Sequence, residues 1–231
     1  MKTIVQEWAE EGGAGPAGPR WPSPRDQSDA YNEIMGVLRT EILLRQDPEV
    51  RGVAVALISP NTQEGRSYLA ARLAIAFAQL GHPTLLVDAD MRNPQQHVLF
   101  GAENKSGLAD MIRNYSQMTT GTNWIGSAQK VTNVPDLYLL CAGSRASDAL
   151  ELLSHAHFEM LLEAWRSNYQ CIVIDTPPTM LFADSMAIAP MVGQIIPVAR
   201  AGHTPMSSLK AMLRRVEVTR AQVLGTVINH F

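Results

Sequence analysis

The sequence has few of the residues from which proteins build disulfides or metal sites. It holds only two cysteines among 231 residues, Cys141 and Cys171, and they are not spaced as metal ligands. Both lie in apolar runs, which predicts two buried free thiols in a reduced, cytoplasmic protein. The six histidines show no ligand spacing either. His155 and His157 are two residues apart, which predicts that they lie on different faces of a helix.

Long apolar runs and an excess of one charge are also missing. No stretch reaches the roughly 18 apolar residues of a membrane span, so no direct membrane span is expected. The N-terminus lacks the apolar core of a signal peptide. The formal net charge is only −3, which argues against a nucleic-acid-binding protein because such proteins usually carry a basic patch.

The length suits one globular domain with a short appendage. Residues 1–28 are rich in glycine, proline, alanine and charge, and they cannot bury enough apolar surface to order themselves. This composition predicts a flexible N-terminal arm at residues 1–28 and a single domain at residues 29–231. The domain is expected to begin with a helix over residues 31–46, which Pro48 follows.

Strand and helix patterns alternate from Val53 onward. Apolar runs predict strands at residues 53–58, 84–87, 137–141, 170–174, 195–199 and 223–228. Helical spacing predicts helices at residues 66–80, 108–114, 148–153, 155–167, 180–191 and 205–220. This alternation predicts an α/β fold with a doubly wound, mostly parallel sheet. Pro197 lies within the fifth strand, so that strand is expected to be an edge or to contain an irregularity.

A candidate phosphate-binding loop follows the first of these strands. Residues 60–67 (PNTQEGRS) fit the Walker A frame Gly-x-x-x-x-Gly-Lys-Ser/Thr, with Pro60 at the first glycine and Arg66 at the lysine. In such a loop, backbone N–H groups and the positive end of the next helix face phosphate. Arg66 keeps a permanent cation, and Ser67 keeps the hydroxyl that would ligate Mg²⁺. The alternative is a strand-to-helix turn in which Gly65 only permits the bend.

Two other strands lead into acids. Asp88 and Asp90 follow the strand at residues 84–87, and Asp175 ends an apolar run in a Walker B pattern. Ionised carboxylates at these positions are costly unless they are paired or bind a metal. For Asp90 the alternative is that it caps the next turn. The loop and the acids together would supply a phosphate cradle, a cation and acids for Mg²⁺ and its water, as phosphoryl transfer requires.

The segment LLVDADMRNP at residues 85–94 resembles the second Walker motif of the bacterial tyrosine kinases (BY-kinases) of capsule and exopolysaccharide assembly. The resemblance covers roughly residues 33–229 and includes IDTPP at 174–178 and VLGTVIN at 223–229. The loop version QEGRSYL, at residues 63–69, is similar to the EpsG subgroup, the kinase-like partner of a chain-length determinant protein. The resemblance as a whole implies a P-loop NTPase fold of the MinD/ParA-like type.

The resemblance also implies roles for individual residues. It implies that Arg66, Asp88 and Asp90 are catalytic, with Asp88 as the base, and that Ser67, Asp88 and Asp175 hold the metal. It implies ATP and Mg²⁺ as cofactors, with nucleotide-binding residues Thr62, Gln63, Glu64, Gly65, Arg66, Ser67, Tyr68 and Asn229. Asn229 would lie near the adenine. Tyr68 is also compatible with a core position in the helix that follows the loop.

The implied partner is a membrane chain-length determinant, or polysaccharide co-polymerase, protein. Binding to the cytoplasmic segment of that partner would make this chain cytoplasmic and peripheral to the inner membrane. The family's oligomerisation motif is Glu-x-x-Arg-x-x-Arg. Here Glu33 and Arg39 match, but Gly36 replaces the middle arginine, which weakens the expectation of a homo-oligomeric ring.

Two further departures bear on activity. Gln63 stands where the family loop has glycine, so the loop is expected to bend differently. The family's kinases end in a tyrosine-rich tail, whereas the last tyrosine of this sequence is Tyr169, so a separate substrate is expected.

Three functions stay open from the sequence. The first is an ATP-dependent tyrosine kinase that acts on another protein, with activity weakened by Arg66. The second is a nucleotide-dependent switch or scaffold with little kinase activity. The third is a MinD- or ParA-like positioning ATPase. Those relatives usually carry an extra lysine early in the loop, where this chain has Pro60, Asn61 and Thr62. Fold alone does not decide among the three.

Overall fold

The computed structural model describes residues 3–5, 29–46, 49–117 and 127–230. Within the predicted arm at residues 1–28 it describes only a short strand, β1 (Thr3–Val5), which pairs with the last strand of the sheet. The rest of that segment lies outside the described residues. The flexible arm and its boundary with the domain therefore stay predictions.

Strands and helices alternate along the domain as predicted. The other strands are β2 (Val53–Ile58), β3 (Thr84–Asp88), β4 (Gln129–Lys130), β5 (Leu137–Leu140), β6 (Cys171–Asp175), β7 (Gln194–Arg200), β8 (Gln222–Val223) and β9 (Thr226–Asn229). The helices are α1 (Asp29–Leu44), α2 (Arg66–Ala78), α3 (Gln96–Phe100), α4 (Leu108–Arg113), α5 (Ala149–Leu153), α6 (Ala156–Asn168), α7 (Asp184–Val192) and α8 (Met206–Glu217). Strand β1, helix α3 and strand β4 were not predicted, because each is too short to show a period.

The strands form one sheet in the order β1-β9-β7-β2-β6-β3-β5-β4, with β8 also beside β7. Among the pairs that the structure describes, only β4 with β5 is antiparallel. The predicted fold class, a doubly wound and mostly parallel sheet, is confirmed. None of the helices in the described ranges has both the length and the apolar character needed to cross a bilayer.

Strand β2 shows why the central strands read as continuous apolar runs. Ala54, Ala56 and Ile58 pack into a core that includes side chains of α4 to α8. The alternate residues Val53, Val55 and Leu57 pack on the opposite face, with α1 and α2. Because successive side chains of a strand point to opposite faces, a strand covered on both sides must be apolar at every position.

Strand β7 is interior, so the edge position considered from Pro197 is wrong, while the predicted irregularity is present. β7 pairs with β2 up to Ile58 opposite Pro197, and on its other side it meets first β8 and then β9. The predicted last strand is thus two strands separated by residues 224–225. Pro197 lacks an N–H donor, and it lies between the positions of β7 that pair with β8 and with β9, where the ladder is interrupted.

The predicted separation of His155 and His157 is wrong. His155 is the residue before α6, where its Nδ1 accepts a hydrogen bond from the N–H of His157. Because His155 is a helix cap and not a helical residue, the two rings come to 4.0 Å between centroids. The predicted buried free thiols are confirmed at Cys141 and Cys171.

Candidate functional site

The loop at residues 60–67 and the three acids meet at the carboxyl edge of the sheet. Strand β2 leads into the loop, and its neighbour β6 ends at Asp175, opposite Leu57. On the other side of β6, Asp88 at the end of β3 is the direct partner of Asp175. This register brings together the segments that the sequence analysis connected only by their order.

The loop backbone turns through the left-handed region twice. Gln63 has a φ of 59° and Gly65 a φ of 80°. Left-handed backbone costs a non-glycine residue about 1–2 kcal/mol. Gln63 therefore adopts the kind of conformation that favours glycine, and glutamine bears a strain that glycine would not.

The loop is held from inside by Glu64, which is only 1% exposed. Its carboxylate accepts hydrogen bonds from the N–H of Asn61 at 2.8 Å, the side-chain amide of Asn61 at 3.0 Å and the hydroxyl of Thr204 at 2.6 Å. Its carbonyl accepts a hydrogen bond of 2.7 Å from Nδ2 of buried Asn229. Asn229 thus contacts the loop backbone, which the sequence analysis did not foresee.

Arg66 directs its guanidinium at the acids and at the start of the loop. Its Nε lies 3.1 Å from Oδ1 of Asp175, and its Nη2 lies 3.5 Å from Oδ2 of Asp90. Its Nη1 donates a hydrogen bond to the hydroxyl of Ser59. The cation at the lysine position is therefore paired with two of the predicted acids in a buried setting.

Asp88 is fully buried and holds the segment that follows β3. Its Oδ1 accepts a hydrogen bond from the N–H of Asp90, and its Oδ2 accepts from the N–H groups of Gln95 and Gln96 at 3.0 and 2.9 Å. Burial raises the pKa of Asp88 well above its ordinary value, and the nearby charge of Asp175 raises it further.

Asp90 has two roles in the structure. Its Oδ1 accepts hydrogen bonds from the N–H groups of Arg92 and Asn93, so it caps the following turn, as the alternative interpretation held. Its Oδ2 faces Arg66. Burial raises the pKa of Asp90 above its ordinary value.

Gln96 joins the loop helix to the end of β6, and no motif identified it in the sequence. Its Nε2 donates to the carbonyl of Ser67 at 2.9 Å and to Oδ2 of Asp175 at 2.7 Å. The side chain is fully buried, and its Oε1 has no hydrogen-bond partner. A single glutamine in a polar stretch carries no spacing signal, so only the packing of α3 reveals it.

Arg92 forms a second ion pair, with the fully buried Asp184, that was not predicted from the sequence. Nε and Nη2 of Arg92 contact the two carboxylate oxygens of Asp184 at 2.7 and 3.0 Å. The same guanidinium lies 4.3 Å from the ring centroid of Phe182. Because the pair is bidentate, it fixes the turn after β3 to the start of α7.

A cavity of about 580 Å³ opens beside the loop. Its walls are formed by Thr62, Gln63, Glu64, Gly65, Arg66, Ser67, Tyr68, Asp90, Asn93, Gln95, Leu99, Pro178 and Phe182. Of the three predicted acids, only Asp90 is part of this lining. Most of the predicted nucleotide-binding residues therefore surround one cavity.

The described residues include no group of three or more His, Cys, Asp or Glu side chains that could hold a metal ion. Mg²⁺ commonly binds proteins through one or two carboxylates together with substrate phosphates and water. Ser67 and Asp175 supply hard oxygen donors of that kind, and both oxygens of Asp175 also accept hydrogen bonds, one from Arg66 and one from Gln96. The buried, unpartnered Oε1 of Gln96 is also consistent with a hydrogen-bond donor, such as a metal-bound water, at this place.

Comparison with known proteins places these features in a family. The sequence profile of the family described as AAA domain matches residues 61–226. Tyrosine-protein kinase CpsD of Streptococcus agalactiae is 30% identical over 203 residues, which cover 88% of this chain and 85% of CpsD. Tyrosine-protein kinase ptk of Acinetobacter johnsonii is 27% identical over 205 residues, but these span only 27% of that longer protein.

Solved structures agree with the sequence relatives. The crystal structure of the chimerical protein CapA2B2 has a TM-score of 0.76 at 28% identity, and the match covers 91% of this chain and 86% of that one. MinD from Pyrococcus horikoshii, described as complexed with Mg-ADP, has a TM-score of 0.64 at 15% identity, covering 77% of this chain and 70% of MinD, and so shares the fold. The chain therefore belongs to the AAA-domain family of P-loop proteins and, within it, to the bacterial tyrosine-protein kinases.

Proposed function

We propose that this chain binds ATP with Mg²⁺ in the cavity beside residues 60–67 and transfers the terminal phosphoryl group to a tyrosine hydroxyl of a protein. The observation that carries the proposal is the buried grouping of Arg66, Asp90 and Asp175 where α2 begins beside the cavity. The start of a helix, a cation and acids are the parts that phosphoryl transfer uses, because it depends on positioning and charge stabilisation.

Each part has a role in the proposal. The N–H groups of the loop and the first turn of α2 would receive the phosphates, and Arg66 would contact their oxygens as a forked donor. The hydroxyl of Ser67 and the carboxylate of Asp175 would hold Mg²⁺ and its water. When bound, Mg²⁺ supplies positive charge that neutralises the phosphate oxygens.

We assign the acceptor's proton to Asp90, which follows β3. Burial raises the pKa of Asp90 above its ordinary value, and a higher pKa makes a carboxylate a stronger base. Asp90 lines the cavity and would meet the acceptor hydroxyl, whereas Asp88 is outside the lining and accepts hydrogen bonds from the N–H groups of residues 90, 95 and 96.

The biological setting is also part of the proposal. Kinship with bacterial tyrosine-protein kinases supports a role in the polymerisation, chain length or export of an exopolysaccharide. The proposed partner is the cytoplasmic segment of a membrane chain-length determinant protein, which would place this chain in the cytoplasm at the inner membrane. Self-association through α1 is also proposed. In the structure, the matching Arg39 donates to the carbonyl of Ala76 within the chain.

The test combines binding and transfer. ATP binding is measured by calorimetry on the full chain, and phosphotyrosine is then assayed with Mg-ATP and a tyrosine-containing copolymer as acceptor. Asp175→Asn is the control that should abolish transfer. Phosphotyrosine that depends on Asp175 supports the proposal, whereas ATP binding without transfer to the copolymer or to the partner's cytoplasmic segment contradicts the kinase activity.

A nucleotide-dependent switch is the second candidate, and the pairing of Arg66 favours it. If phosphate draws the guanidinium away, the loop loses its ion pairs with Asp90 and Asp175. Binding of ATP would then change contacts among three segments of the sheet edge. Recruitment of the partner by a non-hydrolysable ATP analogue, with no phosphotransfer, would support this function, and recruitment that is independent of nucleotide would exclude it.

A further inference from the structure

We infer that Gln96 is a positioning residue for the metal in this site, a role that rests on the proposed binding of Mg-ATP. The inference starts from the hydrogen bonds of its amide. Nε2 donates to Oδ2 of Asp175 at 2.7 Å and to the carbonyl of Ser67 at 2.9 Å, so one group contacts both the end of β6 and the first turn of α2. These two residues are the proposed metal ligands.

The orientation of the amide is fixed by its partners. Both atoms near Nε2 are acceptors, a carboxylate oxygen and a carbonyl oxygen, so the amide nitrogen must face them. Oε1 is then committed to the other side, where it is buried and has no partner. A buried acceptor without a donor is destabilising, so its retention calls for an explanation.

A water on the bound metal would provide the missing donor. Waters on Mg²⁺ are strong hydrogen-bond donors, and oxygen acceptors beyond the direct ligands commonly orient them. Gln96 would thus act twice. Through Nε2 it holds the carboxylate of Asp175 in one orientation, and through Oε1 it would accept a hydrogen bond from a water on the metal.

Backbone hydrogen bonds to Asp88 hold Gln96 in this position. Its own N–H donates to Oδ2 of Asp88 at 2.9 Å, and the N–H of Gln95 donates to the same oxygen at 3.0 Å. The acid at the end of β3 therefore fixes the start of α3, and α3 in turn presents the amide to Asp175. In this arrangement Asp88 acts on the metal site through Gln96.

The experiment measures how ATP binding depends on Mg²⁺ in Gln96→Met, which keeps the shape of the side chain and removes the amide. ATP affinity is determined by calorimetry in a chelator and then across a Mg²⁺ titration. Without metal, we expect the variant and the unsubstituted chain to bind ATP with similar affinity. In the variant, the Mg²⁺ concentration that gives half of the metal's effect on ATP affinity should be about 10- to 100-fold higher.

Gln194→Met is the matched control. Like Gln96, Gln194 has a buried Oε1 without a partner, and its Nε2 donates one hydrogen bond, to the carbonyl of Arg45. Gln194 begins β7 and so lies at the amino ends of the strands, away from the site at their carboxyl ends. The Mg²⁺ dependence of Gln194→Met should therefore equal that of the unsubstituted chain. If Gln96→Met does not fold, Gln96→Asn is measured instead, since its shortened amide cannot keep both contacts.

The outcomes separate this inference from the proposed function. An unchanged Mg²⁺ titration in the Gln96 variant, even with lower thermal stability, overturns the inference and makes Gln96 a structural residue only. An equal loss of ATP affinity with and without Mg²⁺ overturns it as well. Failure of the unsubstituted chain to bind ATP overturns the proposed function and, with it, the inference.

Discussion

Nε of Arg66 lies 3.1 Å from Oδ1 of Asp175, so the cation of the phosphate loop is paired with the acid that ends β6. Both side chains are almost completely buried. A buried charge is tolerated only with a partner, and here Asp90 and the hydroxyl of Ser59 complete the set for the guanidinium. The pairing makes Arg66 both a stabilising element and the candidate phosphate contact.

Replacing Arg66 should therefore affect stability and binding together. Arg66→Ala leaves Asp175 and Asp90 without a counter-charge, and we expect the free energy of unfolding to fall by about 3–5 kcal/mol. Arg66→Lys keeps the charge but offers one nitrogen for three partners, so its loss should be smaller. Urea unfolding gives both values, and calorimetry should show that Arg66→Ala no longer binds ATP.

Arg113→Ala is the control for this comparison, because its ion pair with Asp148 lies at the surface. It should lower stability little, since water screens exposed pairs. Equal effects of Arg113→Ala and Arg66→Ala would contradict the assignment of a buried pair. Unchanged ATP binding in both Arg66 variants would mean that the loop does not hold phosphate.

Gln63→Gly should relieve strain in the loop. Gln63 has a φ of 59°, where glycine is favoured, so the substitution should raise the free energy of unfolding by up to about 1 kcal/mol after the entropy cost of glycine is included. Gln79→Gly is the matched control, since Gln79 has an ordinary φ of −62° at the end of α2. That variant should be destabilised. A loss of stability in both variants would show that Gln63 makes contacts that outweigh its strain.

The sequence predicted the frame of the site but not its internal contacts. The order of loop, acid pair and single acid gave the correct sheet edge, because the carboxyl ends of parallel strands must meet there. It did not reveal that Arg66 pairs with Asp175, since the two residues are 109 positions apart. It also missed Gln96, whose role depends on how the five-residue α3 packs against α2.

The same limit explains the errors. Pro197 correctly indicated an irregular strand. The place of that strand in the sheet depends on the break between β8 and β9, which the continuous apolar run at residues 223–228 does not reveal. The helical spacing of His155 and His157 was irrelevant because α6 begins after His155. Local patterns fixed the type of each element, whereas helix ends and strand neighbours were decided by packing.

The two cysteines should be unreactive in the folded chain. Burial raises the pKa of each thiol, Cys141 and Cys171, to about 12, so almost no thiolate is present near neutral pH. We expect a thiol-specific reagent at about pH 8 to label neither residue in the native state and both in urea. The labelling rate should then follow global unfolding. Rapid native labelling of either residue would contradict its burial.

Asn229→Ala tests whether this residue supports the loop or reads the base. Removing Nδ2 leaves the buried carbonyl of Glu64 without its 2.7 Å hydrogen bond, which should cost about 1–3 kcal/mol of stability. The loop should then bind ATP and GTP more weakly by the same factor, because both share the phosphates that the loop receives.

Asn168→Ala is the control, since Nδ2 of Asn168 makes an exposed hydrogen bond of equal length to the carbonyl of Ala164. Calorimetry with both nucleotides decides the question. A selective loss of ATP binding in Asn229→Ala would return Asn229 to a position near the adenine, whereas parallel losses assign it to the backbone of the phosphate loop.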